Sequence, residues 1–437
     1  MTLDQARVNR IFLPSTYAEG VPYGLFGELR AQAPVCWVEE PAVGPWPAGP
    51  GYWAVLRHAD VKAVLRDPGT YSSHLGATQI RDPDSAADLD FARTMMLNQD
   101  PPDHSRLRRI VAAAFTPRAL AELAAAVDGQ ASDAVRRVRD AGRADFVPLA
   151  ADLPVRTLAA VMGVPEQDRV LLLDWANRVI GYQDADYADA RTADPDRLTE
   201  QGRAALALRP TARTTADGRP VNPRSRAALA DMFGYAHALA ARPRPGSLLA
   251  RMREGGLDAA EFETMFFLFA VAGNETVRNG LPGGLHTLLA HPDQYRLLLE
   301  RPELLPSAVE EMLRFWPPVV HFRRTATRDA ELGGQRIRRG DKVVVQHASA
   351  NRDESVFADP DRFDITRTPN DHVSFGHGPH FCVGAQLARL QMRALLRHTL
   401  AGLPGLEPDP DAAPVRLVSN FQNGLKHLPV RWTPVPG

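Results

Sequence analysis

The residues best suited to chemistry cluster late in the chain, in Asp371-HVSFGHGPHFCVGAQLARL. Gly376, Gly378 and Gly384 surround one cysteine, Cys382, and a helical pattern begins just after it. Val383, Leu387 and Leu390 make its apolar face, and Arg389, Arg393 and Arg397 a basic stripe. This spacing puts Cys382 at a helix amino terminus, where free N–H groups and the dipole favour a thiolate. Nearby glycines let the backbone approach a flat, bulky ligand. Three chemistries are open to this cysteine. It can be an inert buried thiol, the usual fate of a lone cysteine. It can join His372, His377 and His380 around zinc, although the paired spacing of structural zinc ligands is missing. Or it can be an axial thiolate pushing electron density onto a haem iron.

A second constellation is Met265-FFLFAVAGNET, apolar nearly all round and therefore predicted to be a buried central helix. Glu275 and Thr276 within it are costly unless hydrogen-bonded or chemically active. Glu311 and Arg314 stand i, i+3 on a helix expected over Pro306 to Phe315, which alone reads as an ion pair worth little. After Pro101-Pro102 a third helix opens, with Asp103 as its expected cap, and His104 and Arg108 share one face of it.

The elements carrying these residues are mostly helical. Ala, Leu and Arg recur at helical spacing over Arg118 to Arg139, Val155 to Val179, Arg224 to Arg253, Pro282 to Leu299 and Val383 to Leu403. Strand signals are fewer: Gly51-YWAVL, and Lys342-VVVQ after the turn Arg339-Gly-Asp341. The expected class is mainly α with a small β component, without internal repeats. Residues 181–245 are polar and turn-rich, either a surface insertion or a lid over a binding site.

By length, 437 residues suggest two or three domains, with ample core and no need of disulfide staples. A net charge of −1 offers nothing global to nucleic acid or an anionic membrane. The first thirty residues lack a signal-like apolar run, and Met265 to Gly273 is too short to span a bilayer. With only Cys36 and Cys382, a disulfide framework is excluded, and a soluble cytoplasmic protein is expected.

Phe375-GHGPHFCVG384 resembles the haem-binding signature of the cytochromes P-450, and the pattern is intact. The resemblance implies Cys382 as fifth iron ligand of haem b and His380 on a propionate, within a signature that includes Phe375, Gly376 and Gly384. Ala272-GNET276 resembles the family's oxygen-activating motif. Ala272 and Gly273 would leave room for dioxygen, Thr276 would hydrogen-bond the oxygen being activated, and Glu275 would relay protons. Glu311 and Arg314 resemble the family's E-x-x-R pair, completed by Arg362 as a structural triad. His104, Arg108 and Arg324 resemble the propionate clamp, with Arg323 an equally basic neighbour.

The likeness runs in order from about Pro22 to Pro429 and implies one triangular, mainly helical domain over 1–437, overruling the prior from length. AGNETVRN, SANRDESVFADP and SNFQNGLKHLPVRW look like the actinobacterial branch that hydroxylates sterols and methyl-branched lipids. The implied activity is insertion of one oxygen atom from O2 into an apolar steroid, terpenoid, fatty acid or polyketide. Electrons would come from a ferredoxin and its reductase in trans, docked near Arg108, Arg109, Arg118 and Arg389. The expected pocket comprises Met95, Met96, Leu97, Phe266, Phe269, Ala270, Val319, Val320, Phe322, Phe421 and Gln422. A peroxide-driven enzyme of the same fold and a non-catalytic haem or gas binder are the alternatives. Two departures from the family pattern are the long 181–245 segment and Leu281-PGG284, which predicts a kink or break near Asn279 to Pro282.

Overall fold

The most apolar stretch of the sequence becomes the longest helix, Ala259–Leu289. Asp258 caps it by accepting from the Glu261 N–H, while the Glu261 side chain reaches back to the Asp258 N–H. Buried residues line this helix on nearly every face, because Phe146–Met162, Arg169–Ile180, Ala230–Ala241, Leu305–Phe315 and Ala385–Gly402 all pack around it. The computed structural model describes residues 4–188, 193–211, 214 and 221–435.

Several expected helices divide where the backbone chemistry requires it. Val155 to Val179 holds parts of two helices, because Gly163 takes a left-handed conformation and Pro165 follows. Arg224 to Arg253 divides into Ala230–Ala241 and Leu248–Glu254, separated by a turn through Pro243 and Pro245. Asp103 is the first residue of its helix rather than its cap; Pro102 occupies the cap position without a side-chain bond. Within 181–245, the described residues form the short helices Ala185–Ala188 and Glu200–Ala207 before Ala230–Ala241. Residues 189–192, 212–213 and 215–220 of that segment lie outside the described residues.

The β component is a sheet of five strands in the order Val35–Val38, Tyr52–Val55, Lys342–Gln346, His321–Ala326, Tyr71–Ser72, with one three-stranded and two two-stranded sheets. The parallel pairing of Tyr52–Val55 with Lys342–Gln346 joins the two sequence-predicted strands at the sheet centre. Among the described residues no single helix is long and apolar enough to cross a membrane; Asp103–Phe115 and Pro117–Arg136, bent by 47°, meet that test only together.

Of the kink or break expected near Asn279 to Pro282, the break is absent: the central helix is continuous through Pro282. The glycines beside it serve close packing rather than slack. A Cβ on Gly283 would stand 2.1 Å from Trp316 Nε1, and one on Gly284 3.0 Å from Met312 Cβ. Their bare backbone lets Leu305–Phe315 and the following Trp316 press against the central helix. Trp316 is pinned there by its indole N–H, which donates to the Asn423 carbonyl at 2.9 Å. Gly283→Ala, favourable by helix propensity, is therefore expected to destabilise the protein by about 1–3 kcal/mol through overpacking. A urea midpoint unchanged by the substitution would contradict this contact.

Candidate active site

The loop from Asp371 to Gly384 holds Cys382 by backbone geometry. The Cys382 N–H donates to the Phe375 carbonyl at 2.9 Å and the Gly376 N–H to the Val373 carbonyl at 2.8 Å. Gly376 and Gly378 both adopt φ of 71°, in the left-handed region, and a Cβ on Gly378 would stand 2.5 Å from the Leu65 carbonyl oxygen. The helix starts at Ala385, three residues after the cysteine. Cys382 has accessible surface yet lies deep among protein groups. Burial raises its thiol pKa, against the lowering effects of the Gly384 N–H, Arg108 and Arg389. The amino-terminal position thus does not by itself secure the thiolate expected from sequence. A metal cation at the sulfur would.

The zinc alternative finds no support in the geometry. His372 Nε2 lies 3.2 Å from Glu310 and His377 accepts from Arg66 Nε at 2.6 Å, while His380 turns elsewhere. Among the described residues no three His, Cys, Asp or Glu side chains cluster around a metal position.

His380 instead belongs to a group of bases and cations. Its ring lies 4.1 Å, centroid to centroid, from that of His104, and its Nε2 is 3.3 Å from Ser73 Oγ. Burial and then Arg324, His104 and Arg108 push its pKa well down. His104 falls to about 4 for similar reasons, and its Nδ1 has no hydrogen-bond partner among the described residues. Arg324, almost wholly buried, is lowered to about 10 by burial and, among the described residues, donates only to the Arg323 carbonyl. Asp100, a carboxylate near them, is already held by Ser72 and Ser73. Four nitrogen groups that repel one another's charge, with little anionic compensation, fit two carboxylates of a bound ligand. With an accessible thiol sulfur nearby, the donor set fits haem.

Strand alternation separates the two candidate arginines. Phe322 lines an apolar cavity beside the central helix and Arg324 shares its face. Arg323 points away, ion-paired to Asp82 at 2.5 Å and bonded to the Ile80 carbonyl.

That cavity encloses about 200 Å³ and reaches Ala272, Glu275 and Thr276 on the central helix. Ala272 and Gly273 are exposed in a helix otherwise mostly buried there. Thr276 Oγ1 donates to the Ala272 carbonyl at 3.1 Å, which leaves its own lone pairs free. Glu275 is fully buried, and its Oε1 accepts from the Tyr187 hydroxyl at 2.5 Å and Asn279 Nδ2 at 3.1 Å.

Of the expected pocket residues, Met95, Leu97, Val319, Phe322, Phe421 and Gln422 line the cavity. Phe266, Phe269 and Ala270 do not, because a helix turning 100° per residue presents Thr264, Leu268, Val271, Ala272 and Thr276 there. Phe266 packs edge-on against Trp175, Phe269 stacks on Phe115, and Ala270 is core. Met96 and Val320 likewise sit in hydrophobic clusters, facing away from neighbours that line the cavity. The period of the helix would have signalled Phe267, Leu268 and Val271 from sequence. Tyr187 gave no such signal, and Arg278, three residues beyond Glu275, was legible but unread.

Arg314 binds Glu311 through two contacts of 2.8 and 2.7 Å, both side chains wholly buried. The expected third member, Arg362, supplies only its backbone carbonyl to Arg314, and its side chain is exposed. The guanidinium facing Glu311 is that of Arg367, at 3.3 Å, with Asn370 at 3.0 Å. The turn at Asp359, with φ of 46°, leads the chain so that the later arginine returns to the pair. Arg389, expected at a docking surface, is held by Glu310 through two bonds of 2.7 Å and lies over the Phe375 ring.

The family description Cytochrome P-450 matches residues 246–404. The steroid C26-monooxygenase of Mycobacterium tuberculosis is 35% identical over 434 residues, covering 96% of this chain and 92% of that one. The linalool 8-monooxygenase of Pseudomonas putida is 34% identical over 436 residues, covering 96% and 98%. Among solved structures, a cytochrome P-450 of Mycobacterium marinum in complex with pseudoionone superposes with a TM-score of 0.79 at 35% identity, covering 97% of both chains.

Buried neutral imidazoles make this region sensitive to acid. His321 and His347 have no hydrogen bond on either ring nitrogen among the described residues. Burial pushes each down to about 3, with His347 adding to the effect at His321 and Arg324 at His347. Their folded values lie below the unfolded value, so the unfolded chain binds protons first. The stability they contribute is complete above about pH 6.5 and lost as pH falls toward the folded values. Urea midpoints of the haem-free protein should drop between neutrality and about pH 5, with a loss of order 2 kcal/mol for each ring. Replacing both rings by glutamine should flatten that slope.

Proposed function

The chain belongs to the cytochrome P-450 family and has its fold, and from that premise we propose a haem-thiolate monooxygenase that inserts one oxygen atom of O2 into an apolar isoprenoid. The observation that carries this reading is the conjunction of Cys382 in its glycine-shaped loop with Glu275 and Thr276 lining an apolar cavity. Bound haem b would supply the activation of dioxygen. In this reading Cys382 holds the iron, while His104, Arg108, Arg324 and His380 take the propionates. Ala272 and Gly273 leave room at the centre of the helix. Thr276 Oγ1, its hydrogen given to the Ala272 carbonyl, would accept from a proton at the oxygen being activated, and Glu275 would supply protons from the protein side.

The walls from Met95, Leu97, Ile180, Leu268, Val271 and Val319 exclude water and select an apolar body. Steroid, linalool and pseudoionone, named for the relatives, are all isoprenoids. We take a sterol side chain or an acyclic terpenoid as the substrate class, ahead of fatty acids and polyketides. The chain acts as one domain, with 181–245 as lid. Tyr182 and Arg224 line the cavity, where Arg224 lies over the Tyr182 ring, Tyr182 meets Trp46 edge-on, and Arg81 lies over Trp46. Electrons are assigned to a ferredoxin and its reductase in trans, met by the exposed Arg109 and Arg118, in the cytoplasm where Cys36 and Cys382 stay unpaired.

Two measurements test the reading. The reduced protein under carbon monoxide should show the red-shifted Soret band of a thiolate ligand, lost in Cys382→His; a histidine-type band in the wild type would remove the axial thiolate. Thr276→Ala should cut product per electron pair by about tenfold and release the difference as hydrogen peroxide. Turnover driven equally by peroxide in both proteins, without reductant-driven turnover, would favour the peroxide-using alternative.

A further inference from the structure

Glu275 is a carboxylate with no exposed surface inside an apolar helix, so its environment decides what it can do. Its two oxygens are treated differently. Oε1 accepts from Tyr187 and Asn279, whereas Oε2 has no hydrogen-bond partner among the described residues and lies 3.6 Å from Arg278 Nη1. Arg278 is itself fixed, donating to Asn177 Oδ1 at 2.6 Å and lying 4.6 Å over the Tyr187 ring. Asn279 also donates to Gln422, a cavity residue, at 3.3 Å. Burial and the adjacent Glu275 push the Tyr187 hydroxyl far above its ordinary pKa, so it stays a neutral donor.

Tyr187 belongs to Ala185–Ala188, within the 181–245 segment, and its buried side chain reaches the central helix from there. That segment is anchored from its other side: Lys426 bonds Asp184 and Asp186, and the Val418 N–H donates to Asp184 Oδ2. The 2.5 Å contact is therefore a strut from the 181–245 segment to the carboxylate on the central helix.

We propose that Tyr187 is a positioning residue for Glu275: its hydroxyl occupies one carboxylate oxygen and fixes the rotamer, leaving the other oxygen as the one that exchanges protons. This rests on the proton-relay role assigned to Glu275 above. It also makes the strut reciprocal, so that loss of either partner loosens the segment that carries Tyr187.

Tyr187→Phe removes one oxygen atom and keeps the ring beneath Arg278, and Glu275→Gln changes the partner. In the absence of substrate and reductant, amide exchange over residues 181–188 should rise about tenfold in each variant, and no further in the double variant. With reductant and substrate, Tyr187→Phe should lower product per electron pair and raise the solvent deuterium isotope effect. Wild-type exchange and isotope effect in Tyr187→Phe, beside a defective Glu275→Gln, would overturn the strut alone. Normal coupling in Glu275→Gln would overturn the proton-relay reading and the positioning role with it, while the exchange measurement still reports the contact.

Discussion

The Arg314–Glu311 pair is the interaction from which the rest of the site hangs. Two charges without exposed surface are costly in isolation, and the fold answers with hydrogen bonds on every side. Arg314 also donates to the carbonyls of Asn351, Pro360 and Arg362, while Glu311 accepts from the Asp364 N–H and from Asn370. Asn351 carries the order onward: its side chain accepts from the Val373 N–H and donates to Ser374 Oγ, which in turn donates to the Leu313 carbonyl. The cysteine loop begins at these residues. One buried ion pair thus sets the helix Leu305–Phe315, the loop 351–370 and the approach to Cys382 in register.

The opposite arrangement obtains around His104, Arg108, Arg324 and His380. Here nitrogen groups gather without enough carboxylate, and burial lowers the protonation of each histidine. The first cluster is satisfied from within the chain and defines shape. The second is unsatisfied from within and calls for an anionic ligand. A buried polar group that finds all its partners stabilises the fold, and one that does not marks a place where something else binds.

Much of this was legible in the sequence because the signals were local. Cys382 with its glycines, and Glu275 with Thr276, are short patterns whose spacing left several chemistries open and whose resemblance to a known family chose among them. Arg324 was separable from Arg323 only by strand alternation, and Arg367 replaced Arg362 because a turn decides which arginine returns to Glu311. Phe266, Phe269 and Ala270 were misread as lining because apolar character was weighed without the helical phase that sends them into the core. Tyr187 could not be found at all: its partner is 88 residues away, and nothing near it in sequence hints at a carboxylate. The glycines of Leu281-PGG284 were read as slack, whereas the presence of Trp316 makes them a contact surface.

Arg81, Trp46, Tyr182 and Arg224 line the cavity together although they come from separate parts of the chain, and they meet through three ring contacts. Each contact of this kind contributes about 0.5–1.5 kcal/mol, so together they join the four residues by only a few kcal/mol. An equilibrium of that size leaves a small fraction of molecules with this stretch of wall parted at any moment. The wall can therefore give way to a bulky apolar body without unfolding of the helices behind it.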